Sequence, residues 1–143
     1  MTVKSILAAK GRDVVVIAPT DTLDHAVTML TQHRIGAVVV CDEAGRIKGI
    51  LSERDVVRAV GTQREKALAL SVAEVMTAKV QVCHEHHTIN QVMETMTRSR
   101  FRHMPVEEGG KLVGIISIGD VVKRRIEDVE REANEIRSYI ATA

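Results

Sequence analysis

Aromatic side chains are nearly absent from this sequence: its 143 residues include no Trp, one Tyr (Tyr139) and one Phe (Phe101), although 45% are hydrophobic. The core must therefore be built from Val, Ile, Leu, Met and Ala, and a flat ligand ring would be gripped mostly by aliphatic side chains. Cysteine is scarce too. Cys41 and Cys83 lack CxxC spacing and repeat-equivalent positions, which predicts free thiols in strands rather than a disulfide. No apolar run reaches the ~18 residues of a membrane span, and the apolar stretch in MTVKSILAAKGR is too short for a signal peptide. The expectation is a cytoplasmic protein with no membrane partner. A net charge of +1 likewise gives little reason to expect nucleic-acid binding.

What the sequence does have is an internal repeat. GILSERDVVR, ending at Arg58, returns as GIISIGDVVK, ending at Lys123, with Gly49/Gly114, Ser52/Ser117 and Asp55/Asp120 each 65 residues apart. Upstream, Thr22/Thr88, Leu23/Ile89, Leu30/Met96 and Arg34/Arg100 are 66 apart, and the slip falls where DEAGRIKG is one residue longer than EGGKLVG. Repeated units bury their apolar faces against one another, so two units of this size should share one compact module. The division is 1–70 for the first repeat, with an N-terminal helix and linker, and 71–143 for the second, with an extended C-terminal helix.

Periodicity and caps predict the elements. A short amphipathic helix covers 3–9, a strand runs from Val14 to Ile17, and Asp21 or Thr22 caps a helix whose apolar face is Leu23, Ala26, Val27 and Leu30. Ala37–Cys41 and Ile47–Leu51 are strands around the DEAGR turn, and Ser52 opens the next helix. TQREKALAL connects the units, after which Ser71 and Glu74 form a capping box for a short helix ending near Met76. The second unit repeats the order. Val80–Cys83 is a strand, Thr88 and Gln91 cap a helix to about Ser99, and strands His103–Val106 and Leu112–Ile116 flank EEGGK. Each unit is thus β-α-β-β-α, a three-stranded sheet with two helices on one face. The last helix runs from Ser117 to about Ile140, and Val122, Ile126, Val129, Ala133, Ile136 and Ile140 form a heptad-like stripe. It either packs on its own domain or forms a dimer seam.

Ser52 and Ser117 each precede an Asp by three residues at a helix start, the pattern of a capping box. Such a start also offers unpaired N–H groups to a phosphate, and a carboxylate there suits the hydroxyls of a ribose.

With its duplicated β-α-β-β-α unit, two GhhSxxD strings and the Val75-Met76-Thr77 segment opening the second repeat, the chain resembles a stand-alone tandem CBS-domain pair, or Bateman module, from about Asp13 to Lys123. The resemblance implies an α+β (α/β-like) fold in which two repeats pack sheet to sheet about a pseudo-twofold axis. Two clefts would result, of the kind that bind adenosine nucleotides. By family position Asp55 and Asp120 would hold ribose, Ser52 and Ser117 phosphate, and Thr77 belongs to the same site. Adenine would sit among Val14, Val16, Val38, Val80, Val82 and Met104. Arg102 and His103 sit where phosphate ligands are found, within the cluster Arg98, Arg100, Arg102 and His103, which is otherwise a solvated helix end. Gly36 and Ala37 replace that pair in the first unit, and Gly119 stands where the first repeat has Arg54, so the clefts should not bind alike.

The run Cys83-His-Glu-His-His87 has ligand-type side chains but no second cluster to complete a site, so no metal is expected. No nucleophile with a paired base, no carboxylate pair and no Walker-type loop can be assembled, so catalysis is not expected. The leading reading is a regulatory sensor binding AMP foremost, with ADP, ATP or NAD(H) as further ligands, and forming a homodimer through its helices. An alternative is an interaction module with vestigial clefts whose long helix docks a protein target. A third, nucleic-acid binding by the arginines, is disfavoured by the near-neutral charge.

Overall fold

The computed structural model describes residues 1–142. Helix α1 (Val3–Lys10) precedes strand β1 (Val16–Ile17), helix α2 (Leu23–His33), strands β2 (Ala37–Cys41) and β3 (Ile47–Ser52), and helix α3 (Glu53–Gln63). A 3₁₀ turn over Arg64–Ala69 occupies the connection, and helix α4 (Val72–Val75) follows. The second unit contains helix α5 (Ile89–Ser99), strands β4 (His103–Glu108) and β5 (Lys111–Ser117), and helix α6 (Ile118–Thr142). No helix among the described residues is long and apolar enough to cross a membrane.

The expected caps are formed. Thr22, Ser71 and Thr88 accept from the amides of His25, Glu74 and Gln91, closing the first turns of α2, α4 and α5. In the first sheet β1 runs parallel to β2, and β2 is antiparallel to β3. The second sheet repeats the antiparallel pair, with Met104 opposite Ile116 as Val38 is opposite Leu51. Its third strand is missing. Val80–Cys83, expected as a strand, leaves only one parallel bridge, Cys83 to Val106. The reason lies on the facing strand. In the first unit the Val39 amide donates to the Val15 carbonyl at 3.2 Å, whereas its counterpart is Pro105, which has no N–H to offer. Cys83 therefore lies outside a strand, whereas Cys41 lies in β2 as expected; both are free and buried.

Two apolar clusters form the core, one per unit, and each borrows a helix from the other half of the chain. Val3, Ile6 and Leu7 of α1 pack with Cys83, Ile89, Val92 and Met96, while Val72 of α4 packs with Ile17, Leu23, Val38 and Leu51. The backbone records the exchange twice. Thr2 bridges Thr88 as Ser71 bridges Thr22, and the Val3 amide donates to His87 O as the Val72 amide donates to Asp21 O. The glycines of the repeated string serve this crossing. A Cβ on Gly49 would lie 2.7 Å from Met76 Sδ and Thr77 O, and one on Gly114 would lie 2.7 Å from Leu7 Cδ2.

Candidate functional site

Both GhhSxxD strings end as capping boxes. The Asp55 amide donates to Ser52 Oγ at 3.4 Å and the Ser52 amide to Asp55 Oδ2 at 2.9 Å. At the second copy the Asp120 amide donates to Ser117 Oγ at 3.2 Å and the Ser117 amide to Asp120 Oδ2 at 2.8 Å. The first amide of each helix is also satisfied, Glu53 N–H by Gly36 O and Ile118 N–H by Arg102 O. Beside each cap a cavity opens where the units meet.

The larger cavity, about 620 Å³, is lined by Gly36, Ile50, Ser52, Glu53, Arg54, Asp55, Val57, Arg58 and Thr77 from the first half of the chain and by Ser99–His103 from the second. That volume suits a small-molecule ligand. Asp55 is 5% exposed. Its Oδ1 faces away from the cap, accepting from the Thr77 hydroxyl at 3.2 Å and standing 3.5 Å from the Arg58 guanidinium. Arg54, Arg58, Arg100 and Arg102 outnumber Glu53 and Asp55 on these walls, so the cavity is net positive. Phe101, the chain's one phenylalanine, lies there too.

The smaller cavity, about 370 Å³, is lined by Lys10, Asp13, Val14, Val15, Ile35, Gly36, Ala37, His103, Ile115, Ser117 and Asp120. Here one oxygen of the motif carboxylate meets a cation. Lys10 Nζ donates to Asp120 Oδ2 at 2.7 Å and to Ile115 O at 2.9 Å. Burial raises the Asp120 pKa, but the Lys10 ammonium and the Ser117 amide and hydroxyl outweigh it and hold the carboxyl below its ordinary range. His103 and Gly36 line both cavities. Burial lowers the His103 pKa, opposed by Asp120 and Glu53 and assisted by Lys10 and Arg102.

The sequence-derived site residues divide accordingly. Ser52, Arg54, Asp55, Thr77, Arg102 and His103 converge on the larger cavity, and Val14, Ser117, Asp120 and again His103 on the smaller. The rest do not reach either wall. Val38 and Met104 are buried in the two cores on the opposite face of their strands, Val16 is 42% exposed, and Val80 and Val82 lie on the irregular segment beside β4. Gly119 sits on the exposed first turn of α6, where it adds no side chain to the smaller cavity. Sequence reasoning missed Lys10, Arg58, Val57 and Phe101. The signal for Lys10 was the match of Thr2, Val3 and Leu7 to Ser71, Val72 and Met76, which marks α1 as the second unit's counterpart of α4.

The histidine run folds as a turn. His84 and His86 lie nearly parallel with ring centroids 5.8 Å apart, and His87 is tilted against both, at 5.3 and 4.6 Å. His84 Nδ1 lies 2.6 Å from Glu107 O, and His87 Nδ1 accepts from the His84 amide. Among the described residues no group of three or more His, Cys, Asp or Glu is placed to hold a metal ion.

Comparison with known proteins agrees with this architecture. The "CBS domain-containing protein CBSX3, mitochondrial" of Arabidopsis thaliana is 30% identical over 147 residues, covering 97% of this chain and 71% of that protein. The crystal structure of a CBS-domain protein from Agrobacterium tumefaciens superposes with a TM-score of 0.84 at 51% identity, over 87% of this chain and 99% of that one. CBSX2, solved in complex with AMP, shares the fold with a TM-score of 0.71 at 23% identity, over 80% of this chain and 88% of that one. The family description "CBS domain" matches twice, over residues 3–62 and 72–127, so the chain belongs to the CBS-domain family as a tandem pair.

Proposed function

We propose that this CBS pair is a non-catalytic regulatory sensor that binds an adenosine nucleotide in its larger cavity. One observation carries the reading: Asp55 Oδ1, already paired with the Thr77 hydroxyl, meets four arginines across a single cavity of about 620 Å³. A carboxylate beside a hydroxyl suits a ribose diol, and guanidinium groups suit phosphate through paired N–H donors. Arg54, Arg58, Arg100 and Arg102 take the phosphates, with Ser52 at the helix start, and Ile50, Val57 and Phe101 offer apolar surface to the base. The AMP complex of CBSX2 supports AMP as the first ligand to test, with ATP and NAD(H) beside it. We place the protein in the cytoplasm.

Titration calorimetry with AMP, ATP, NAD and NADH tests this, and heat from at least one nucleotide is expected. Asp55→Asn, which keeps a capping acceptor but loses the charge, should weaken that binding roughly tenfold. Asp120→Asn should leave it nearly unchanged. No heat from any nucleotide would overturn the reading.

A second feature supports self-association. Val122, Ile126, Val129, Ile136 and Ile140 are all at least 43% exposed along α6. From Arg131 onward only Ala133 among the described residues is even half-buried. The stripe is the homodimer seam, with an unidentified protein target as the alternative occupant. Ile126→Glu with Ile136→Glu should yield a monomer by light scattering; an unchanged mass in variant and wild type alike would reject the seam.

A further inference from the structure

The turn that leads into α2 is built again before α5, with one side chain exchanged. In the first unit the Ala18 amide donates to Asp21 Oδ2 at 2.9 Å and the Asp21 amide to Ala18 O at 3.1 Å. At the matching place in the second unit the His84 amide donates to His87 Nδ1 at 2.9 Å and the His87 amide to His84 O at 3.0 Å. An imidazole thus accepts the bond that a carboxylate accepts in the first copy.

Each turn holds a helix borrowed from the other half of the chain. The first amides of α4, Val72 and Ala73, donate to Asp21 O and Pro19 O, and the first amides of α1, Val3 and Lys4, donate to His87 O and Glu85 O. Such amides have no acceptor within their own helix, so the turns supply it. The second turn also grips the far end of α1, because the Glu85 carboxylate pairs with Arg12, and the Glu85 amide is itself tied to Glu108 Oε1 at 2.7 Å.

The histidines of this turn have unlike roles. His84 Nδ1, 2.6 Å from Glu107 O, carries a proton, since a carbonyl only accepts, and a second proton on its ring leaves that bond intact. His87 Nδ1 carries none, because it accepts from an amide. A charged imidazole has no acceptor, so protonating His87 sets N–H against N–H at the centre of the turn. The titratable and charged side chains around it are His84, Glu85 and His86 in the turn, Glu107 and Glu108 on β4, Lys4 on α1 and Arg12 beyond it; Ile89, Asn90 and Gln91 at the start of α5 add none. Burial lowers the His87 pKa, His86 and His84 lower it further, and Glu108 opposes them. The hold on α1 is therefore complete above the ordinary histidine range and is lost as the pH falls through the lower folded value.

We propose that the His84–His87 turn is a pH-sensitive clasp: protonation of His87 opens the turn and loosens the start of α1, while the matching Asp21 turn keeps its hold on α4. Because α1 brings Val3, Ile6 and Leu7 to the second core and Lys10 to Asp120, mild acid acts on the second unit and its smaller cavity ahead of the first.

Amide hydrogen exchange on the full chain at about pH 7.5 and about pH 5.5, corrected for the intrinsic pH dependence of exchange, tests this. Protection of Val3 and Lys4 in the wild type should fall about tenfold or more on acidification, while that of Val72 and Ala73 stays constant. His87→Asn keeps an acceptor in the turn that does not titrate, and should hold α1 equally at both pH values. Asp21→His should transfer the acid sensitivity to Val72 and Ala73. Constant protection of α1 in the wild type would overturn the clasp, and so would an equal fall at α1 and α4, a contrast that needs no substituted protein. An equal fall at α1 in wild type and His87→Asn would overturn it as well, since another group would then be the one titrating.

Discussion

Two copies of one string produce two cavities of opposite character. The larger carries four arginines against two acids, and the smaller carries one lysine, tied to an acid, with a second acid nearby. Part of the difference lies in the string itself, which supplies Arg54 and Arg58 in the first copy where the second has Gly119 and Lys123, although Ser and Asp form the same capping box in both places. The rest of the divergence is supplied by what each copy meets: a short α4 with Thr77 on one side, a longer α1 with Lys10 on the other, and the arginine-rich α5–β4 corner on one cavity only. Duplication conserves the backbone scaffold, and unequal side chains within the string and around it set what it can bind.

The strongest way to break the equivalence of the two halves is at their glycines. Gly49→Ala would drive a Cβ to 2.7 Å from the Thr77 carbonyl, a backbone atom that cannot swing away, whereas Gly114→Ala meets the terminal methyls of Leu7. The first should cost about 2 kcal/mol or more and the second about 1 kcal/mol, read as the shift in urea midpoint at constant slope. Equal losses would mean that α1 is held as rigidly as the Met76–Thr77 crossing.

A smaller effect would sharpen the role of the residue both cavities share. His103 has its pKa lowered by burial, so the folded state holds fewer protons than the unfolded one just below the ordinary value of 6.5. Its contribution to stability is full above that pH and is lost as the pH falls through the lower folded value. His103→Gln should flatten the stability profile below pH ~6.5, by chemical denaturation at matched pH values. Nucleotide affinity should run the other way, rising as the pH falls, because a phosphate in the larger cavity favours the charged imidazole. A parallel fall in stability and affinity would remove His103 from the phosphate site.

Much of this was legible in the sequence. The repeat, the capping boxes and the antiparallel pairs all followed from local patterns, since side-chain oxygens and β-branched runs act over a few residues. The third strand of the second sheet did not, because its loss depends on the missing N–H of Pro105 across the sheet. That Val38 and Met104 turn to the cores rather than to a cavity was hidden for a related reason. β2 is buried along its whole length, so hydrophobic alternation cannot say which face turns to the core and which to the cleft. Lys10 was harder to see because its partner lies 110 residues away and the match of α1 to the α4 segment rests on a few positions, Thr2, Val3 and Leu7.

The exchange of α1 and α4 makes the two halves hostages of each other. Removing the first ten residues strips Val3, Ile6 and Leu7 from a core otherwise formed by residues 83–121, and cutting after the first unit would deprive it of Val72. Neither half is self-sufficient, and the molecule should melt as one cooperative body with no folded half left behind. A lone ancestral unit could have completed itself only by trading helices with a second copy, so the covalent join between the repeats turned a concentration-dependent partnership into a permanent one.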